Sequence, residues 1–217
     1  ELYAGEDPYV LQAAKRYYAE IMMPFRKIVA KNIEKVRPLA MKYIAPSHGP
    51  IYDRPHEIIA AYEEWVSDRV TNLALIAYVS MHGSTEMMVN YLLSALAERG
   101  VRVQKYELTT TDIGKLAMDL VDAATLVVGT PTVHGGPHPT VFAATNLANA
   151  LRPKLKYAAI IGSYGWGGKA PEQIAQLIPN LQVELLGTVL CKGLPRQDAF
   201  AALDTLAEQI AQKHAAL

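Results

Sequence analysis

Three short segments gather residue types able to hold a charged, flat ligand. The first is Ser80-Met81-His82-Gly83-Ser84-Thr85-Glu86, where hydroxyls at 80, 84 and 85 surround a glycine and a helix begins. Amides at a helix N-terminus point outward without partners and carry part of the helix dipole, so they attract anions. The segment has no lysine, unlike the G-x-x-x-x-G-K-[ST] loop whose lysine meets additional phosphates. Hydroxyls and amides without a cation suit one terminal phosphate; ordinary capping of the helix by Ser84 or Thr85 is the plainer reading. The second segment is Gly129-Thr130-Pro131-Thr132-Val133-His134-Gly135-Gly136-Pro137-His138. Its adjacent glycines admit positive φ angles and close approach of backbone. The third, Gly162-Ser163-Tyr164-Gly165-Trp166-Gly167-Gly168-Lys169, alternates aromatics with glycines. Aromatics at a loop tip can stack on a flat ligand or form a lid over the sheet edge. His134 and His138 have an i, i+4 spacing that suits zinc on a helix, but Gly-Gly-Pro between them excludes the helix. At most one of the two is expected near a ligand, the other on the surface.

What must position these loops is a repeated strand, loop and helix. Leu73–Ser80, Val101–Leu108, Ala124–Gly129, Tyr157–Gly162 and Val183–Cys191 are short runs rich in Val, Ile, Leu and Ala. Several are continuous, as in strands buried on both faces. Between them and after the last, helical patterns run over 85–99, 112–123, 139–151, 171–177 and 197–213, with Gly100 at the usual place of a helix-ending glycine. The pattern predicts an α/β domain with a doubly wound parallel sheet over residues 71–217, and ligands at the carboxyl ends of its strands. Residues 1–70 read as a helical appendage. Asp7-Pro8 opens a helix over 9–22, Pro24 interrupts it, a second runs from 25 to about 43 with a kink at Pro38, and a third spans 55–68. Between these last two, Ile44-Ala-Pro-Ser-His48-Gly-Pro-Ile51 is an ordered loop by its two prolines and glycine.

Composition narrows the classes. Of 217 residues 51% are hydrophobic and 19% charged, enough for a packed core and contrary to a disordered tail, a collagen-like fibre or a disulfide scaffold. Lys plus Arg number 21, as do Asp plus Glu, and ten of each fall in the first 70 residues. No basic stretch marks a nucleic-acid backbone or an anionic membrane as partner. No apolar run approaches the roughly 20 residues that span a bilayer, and no basic-then-apolar leader is visible. The one cysteine, Cys191, has no intrachain partner; it reads as a small buried hydrophobe in a reducing, cytoplasmic setting. No G-x-S-x-G elbow is present, which counts against a hydrolase. Gly165-Trp-Gly167-Gly-Lys-Ala170 matches G-x-G-x-x-A, but it follows the fourth strand rather than the first, and Pro171 crowds the turn. The chain begins at Glu1 rather than Met, which points to a processed chain, a piece of a longer protein or one half of a split one.

The phosphate-type loop, glycine-rich middle loop and aromatic loop, in this order at successive strand ends, resemble flavodoxins over residues 71–213. More narrowly, Ser-Met-His-Gly-Ser-Thr-Glu, Gly-Thr-Pro-Thr and Gly-Ser-Tyr-Gly-Trp-Gly-Gly resemble the flavodoxin domain of flavodiiron proteins, the A-type flavoproteins. Ile44–Ile51 and Arg16-Tyr-Tyr-Ala19 resemble the end of the metallo-β-lactamase-like domain that precedes it there. The resemblance implies a five-stranded parallel sheet in the order 2-1-3-4-5 and FMN as cofactor. Ser80, Met81, His82, Gly83, Ser84 and Thr85 would lie at its phosphate. Pro131, Thr132, Val133, His134, Gly135, Gly136, Ser163, Tyr164, Gly165, Trp166 and Gly167 would lie about its ring, with Gly135–Gly136 beside the flavin N5. It makes His48 the last ligand of a di-iron centre, and residues 1–70 the remnant of the domain bearing it. The family's early H-x-E-x-D-H cluster is missing from this sequence, so di-iron is expected only if the full-length protein or another polypeptide supplies the other ligands. The same resemblance implies a rubredoxin- or F420-type electron donor, reduction of O2 to water or NO to N2O, and a head-to-tail homodimer. The enzymatic rival is an NAD(P)H-dependent FMN quinone reductase of the same fold; the non-enzymatic rival is an FMN-free assembly module.

Overall fold

The computed structural model describes the chain except Glu1, Glu6 and the side chain of Pro8. Its centre is β1 (Thr71–Tyr78), six of whose eight residues are buried in unbroken succession. Alternate side chains therefore enter two separate cores. Leu73, Leu75 and Ala77 face one, Ala74, Ile76 and Tyr78 the other. Parallel partners flank β1: β2 (Arg102–Glu107) and β3 (Ala123–Val133), the latter pairing on its far side with β5 (Tyr157–Tyr164), which pairs with β6 (Glu184–Lys192). The two-residue β4 (Gly136–Pro137) lies off this path, antiparallel to the end of β3. The order β2-β1-β3-β5-β6 is the expected 2-1-3-4-5 arrangement once β4 is set aside.

Helices cover both faces. Met88, Val89, Leu92 and Leu96 of α4 (Ser84–Glu98) pack with Leu203, Leu206 and Ile210 of α8 (Gln197–His214) over Ile76, Val127 and Ile161. On the other face lie α5 (Ile113–Leu120), α6 (Pro139–Leu151) and α7 (Ala170–Leu177), over Leu75, Leu126 and Ile160. Gly100, with φ +77°, sits just past α4 in the left-handed region a helix-ending glycine favours.

The amino-terminal helices form a further layer outside α5 and α6. Asp7 accepts a hydrogen bond from Tyr9 N–H and caps α1 (Pro8–Tyr17) as its position predicts. The chain does not simply break at Pro24. Pro24 has no N–H for the carbonyl of Glu20, and the ladder widens into a π turn over Tyr18–Met22, with Met23 N–H bonded to Tyr18 O. A 3₁₀ turn, Met23–Phe25, then leads into α2 (Arg26–Val36). That helix ends before Pro38 instead of kinking through it to residue 43, and α3 (Pro55–Val66) stops two residues short of the expected end. Tyr18 and Ala19 are fully buried, Tyr18 edge-on to Tyr62 and 5.6 Å from the Trp65 ring. Burial pushes the Tyr18 phenol up to about 12. Arg16 forms a two-pronged ion pair with Asp112, at 2.6 and 2.9 Å, while Asp112 caps α5 through Gly114 N–H. Tyr18, Met23, Ile58 and Trp65 thus share one continuous core with Leu116, Leu120 and the sheet.

At the amino-terminal end of the sheet, His214 closes α8. Its Nε2 lies 2.7 Å from Thr125 Oγ1 and its Nδ1 2.8 Å from Asn72 Oδ1, while Asn72 Nδ2 donates to Gly100 O. Because the Asn72 amide nitrogen is spent on Gly100, Asn72 Oδ1 accepts from His214 Nδ1, and the Thr125 hydroxyl completes the pair at Nε2. Burial disfavours the charged ring and lowers its pKa. The native state binds fewer protons than the unfolded chain, so this contribution is complete above the free-imidazole value of about 6.5 and is lost as pH falls below it. The urea midpoint of the wild type is expected to fall between pH 7.5 and 5.5 by more than that of His214→Gln, which has no ring to protonate.

Candidate functional site

The first loop leaves β1 and enters α4 through Gly83, whose φ of +84° is left-handed. As the N-cap residue, glycine brings no side chain to accept from the first turn. Ser80 Oγ accepts from Glu86 N–H at 3.2 Å, and the ladder starts with Met87 N–H on Gly83 O. The capping by Ser84 or Thr85 that the sequence also allowed does not occur. Thr85 is buried instead, its hydroxyl 3.1 Å from that of Ser163 in the third loop.

The second loop is a hairpin. β3 continues past the expected end at Gly129 as far as Val133, because His134 and Gly135, with φ +50° and +78°, form a two-residue turn that folds the chain back through Gly136–Pro137. Successive positive φ angles are the geometry tight hairpins need. His134 sits at the exposed tip. His138 is not the surface residue expected: it is half-buried, caps α6 by accepting from Thr140 N–H at Nδ1, and donates its own N–H to Thr130 Oγ1. Across the gap, Lys169 N–H donates to Gly135 O at 2.8 Å, which fixes the hairpin against the third loop. The Gly135 carbonyl is therefore already engaged. Gly168 allows this approach, since a Cβ there would stand 2.6 Å from Thr132 Cγ2 and 2.9 Å from Gly135 O.

The three loops enclose a cleft of about 670 Å³ at the carboxyl ends of β1, β3 and β5. Ser80, Met81, His82, Ser84, Thr85, Pro131, Thr132, Val133, His134, Gly135, Ser163, Tyr164, Gly165, Trp166 and Gly167 all line it. Gly83 and Gly136 do not; one sets the start of α4 and the other is buried beside Gln173. Sequence reasoning missed Gly193 and Leu194, which line the cleft from the β6–α8 connection. Gly193 N–H donates to Tyr164 O, and Cys191, a buried free thiol, holds the same turn through Gly193 O. The available signal was the glycine just past the fifth strand run. No Asp, Glu, Lys or Arg lines the cleft among the described residues, so the field there is set by the α4 amides and neutral hydroxyls. Trp166 is 97% exposed; its indole packs on nothing and is free to cover a ligand, not to serve as a lid already closed.

These features fit a flat phosphomonoester. The volume is within the range of about 300–1,000 Å³ for small-molecule sites, with a phosphate-type helix terminus at one side and aromatics at the other. They do not fit a metal centre. His48 is exposed, 5.8 Å from the Tyr17 ring, and no group of three or more His, Cys, Asp or Glu could hold a metal among the described residues. No helix among them is long and apolar enough to cross a membrane.

Comparison with known proteins agrees with this geometry. The family model for flavodoxin matches residues 76–203. The chain is 34% identical over 180 residues to a nitric oxide reductase of Moorella thermoacetica, covering 82% of this chain and 45% of that protein. It is 30% identical over 176 residues to a coenzyme F420H2 oxidase of Methanothermobacter marburgensis, covering 78% and 44%. The solved rubredoxin oxygen:oxidoreductase of Desulfovibrio gigas superposes with a TM-score of 0.94 at 27% identity, over 100% of this chain and 56% of its own. These names match the activities that the flavodiiron resemblance implied, and the resemblance is borne out. The chain spans about half the length of the curated relatives it matches.

The close packing at the base of the cleft can be tested directly. Gly162 pairs with Thr130, and a Cβ at 162 would lie 2.2 Å from the Thr130 carbonyl oxygen. Backbone cannot yield as a side chain does, so Gly162→Ala is expected to cost about 1–3 kcal/mol or more of stability in urea denaturation.

Proposed function

The chain belongs to the flavodoxin family, and from that premise we propose that residues 71–217 hold FMN in this cleft as the electron-transfer domain of a flavodiiron-type oxidoreductase. Residues 1–70 are, in this reading, the end of the metallo-β-lactamase-like domain that precedes it. The observation that carries the proposal is the glycine-capped terminus of α4 opening into an acid-free cleft beside Tyr164 and Trp166. The shared core of the amino-terminal helices and the likeness over the whole chain favour this reading over a quinone reductase, which needs no such helices.

Bound FMN supplies one- and two-electron chemistry; the protein supplies binding, orientation and electrostatics. The Ser84 and Thr85 amides and the Ser80 and Ser84 hydroxyls would hold the phosphate, with His82 at the rim. Thr132, His134, Gly135, Tyr164, Gly165 and Trp166 would bound the ring. Backbone donors of the hairpin are the groups that would tune the ring's potential, because the lining carries no charged Asp, Glu, Lys or Arg side chain among the described residues. Closure of Trp166 and Leu194 over the ring would exclude water. Donors of the rubredoxin or F420H2 kind are proposed from the names of the relatives. Reduction of O2 or NO belongs to the longer protein. Its di-iron centre would draw on His48 and on ligands from outside this chain, and a head-to-tail homodimer would bring one subunit's cleft to the other's metal. The free Cys191 thiol suits the reducing conditions of the cytoplasm.

The deciding experiment is the visible spectrum of the purified chain before and after adding FMN and removing the excess. A retained flavin band with quenched fluorescence is expected; no uptake by a folded sample would leave an assembly module as the better account. Ser84→Asp places a carboxylate where the dipole favours it, so the fold should hold while like charge repels phosphate. FMN binding should be lost and binding of riboflavin, which has no phosphate, kept. Trp166→Ala removes a side chain without packing partners. It should leave thermal stability unchanged, weaken FMN by about 1–3 kcal/mol of stacking, and shift the flavin potentials.

A further inference from the structure

A second cleft, of about 620 Å³, opens at the opposite, amino-terminal end of the sheet. Its walls are the turn before and into α2, Asp68 ahead of β1, the α6–β5 connection and the segment before β6. Five cations line it, Arg26, Lys27, Arg152, Lys154 and Lys156, against one carboxylate, Asp68. The chain as a whole has net charge +0; folding brings two short basic stretches, Arg26-Lys27 and Arg152-Pro-Lys154-Leu-Lys156, to one cleft. Asp68 is taken up by Arg26 at 2.6 Å. Lys27, Arg152 and Lys156 are exposed and enter no ion pair among the described residues.

Lys154 is the unusual member. It is 7% exposed, yet its ammonium has loose partners, Glu64 O at 3.3 Å and Asp122 Oδ1 at 3.9 Å. A buried cation with three donors normally finds closer acceptors. Burial lowers its pKa, Asp122 and Glu64 partly oppose the shift, and Arg26 and Arg69 add to it. The Asp68 carboxyl is held below its usual range, first by Arg26 and then also by Lys156 and Lys154, so these charges act on one space. Pro24, Pro153 and Pro179 stand in the walls and limit how far the cleft can relax.

We infer that this cleft is an anion site for a small molecule bearing a di- or triphosphate group, separate from the proposed flavin cleft. The charge excess matches several phosphate oxygens rather than one, and the concave shape suits a compact ligand more than the long backbone of a nucleic acid. Capping of helix dipoles accounts for Arg152 at the end of α6, but not for Lys27, Lys154 and Lys156.

Calorimetric titration with pyrophosphate, ATP and inorganic phosphate, run with and without FMN, tests this. Pyrophosphate is expected to bind at least tenfold more tightly than phosphate, equally with FMN present or absent, and more weakly as salt rises from about 50 to 200 mM. Tighter binding of ATP than of pyrophosphate would identify a nucleotide; equal binding would identify the phosphate chain alone. R152Q/K156Q, at two exposed positions, should lose at least tenfold in pyrophosphate affinity with FMN affinity and thermal midpoint unchanged. Absence of binding at millimolar pyrophosphate, equal affinity in the variant, or competition by FMN would overturn the inference.

Discussion

The rest of the structure depends on the burial of β1 and β3 on both faces at the point where the chain's winding reverses. Connections leaving the two strands go to opposite faces, so no loop fills the crevice above their carboxyl ends. With its hydrogen-bonding edges occupied by β1 and β5, β3 has little freedom to shift register. A one-residue slip would exchange Leu126 and Val128 with Val127 between the two cores. That rigidity fixes the origin of the first two loops. Thr85–Ser163 and Lys169–Gly135 then set the third against each of them. The cleft is therefore held by backbone and buried hydroxyls, leaving Trp166 and Leu194 as large exposed side chains at its mouth.

The same core extends outward into the amino-terminal helices. Arg16 reaches Asp112, whose carboxyl is held below its usual range by that guanidinium and by Gly114 N–H. An exposed pair of this kind contributes little by itself, but here its acceptor is also the cap of α5, so the docking of one helix and the start of another use the same carboxylate. Tyr18 and Trp65 supply the apolar part of that junction. The helical segment is thus not a loose prefix: removing it would bare Leu116 and Leu120 on α5.

The strand pattern was legible because both-sided burial leaves continuous apolar runs such as Leu73–Val79, which survive any detail of packing. Fifteen-residue α4 was equally plain between its phosphate-type loop and Gly100. What the sequence concealed were features made by distant partners. The extension of β3 depends on a turn at His134-Gly135 whose first residue is not glycine, and nothing in a single histidine announces a positive φ. His138 became a cap because Pro139 starts a helix directly after it. Leu194 reached the cleft through a bond between Gly193 and Tyr164, almost thirty positions apart in the chain. Net charge by segment was uninformative about the basic cleft for the same reason: residues near 26 and near 154 meet only after the sheet has formed.

The two ends of the sheet present anion-attracting surfaces built on different physics, and the difference follows from topology. In a parallel sheet with crossover helices, each helix runs against the strands, so helix N-termini gather at the carboxyl ends and helix C-termini at the amino ends. At the carboxyl end, amides and dipole suffice, and a cleft without Lys or Arg still favours phosphate. At the amino end the exposed carbonyls of helix C-termini repel an anion, so any site there must overcome them with whole charges. Side-chain charges at an exposed rim are screened within about 10 Å at 0.1 M salt, whereas amides in contact with a phosphate are not. Salt should therefore separate the two surfaces: affinity at the α4 terminus should vary little with ionic strength, and affinity among the exposed Lys27, Arg152 and Lys156 should vary steeply.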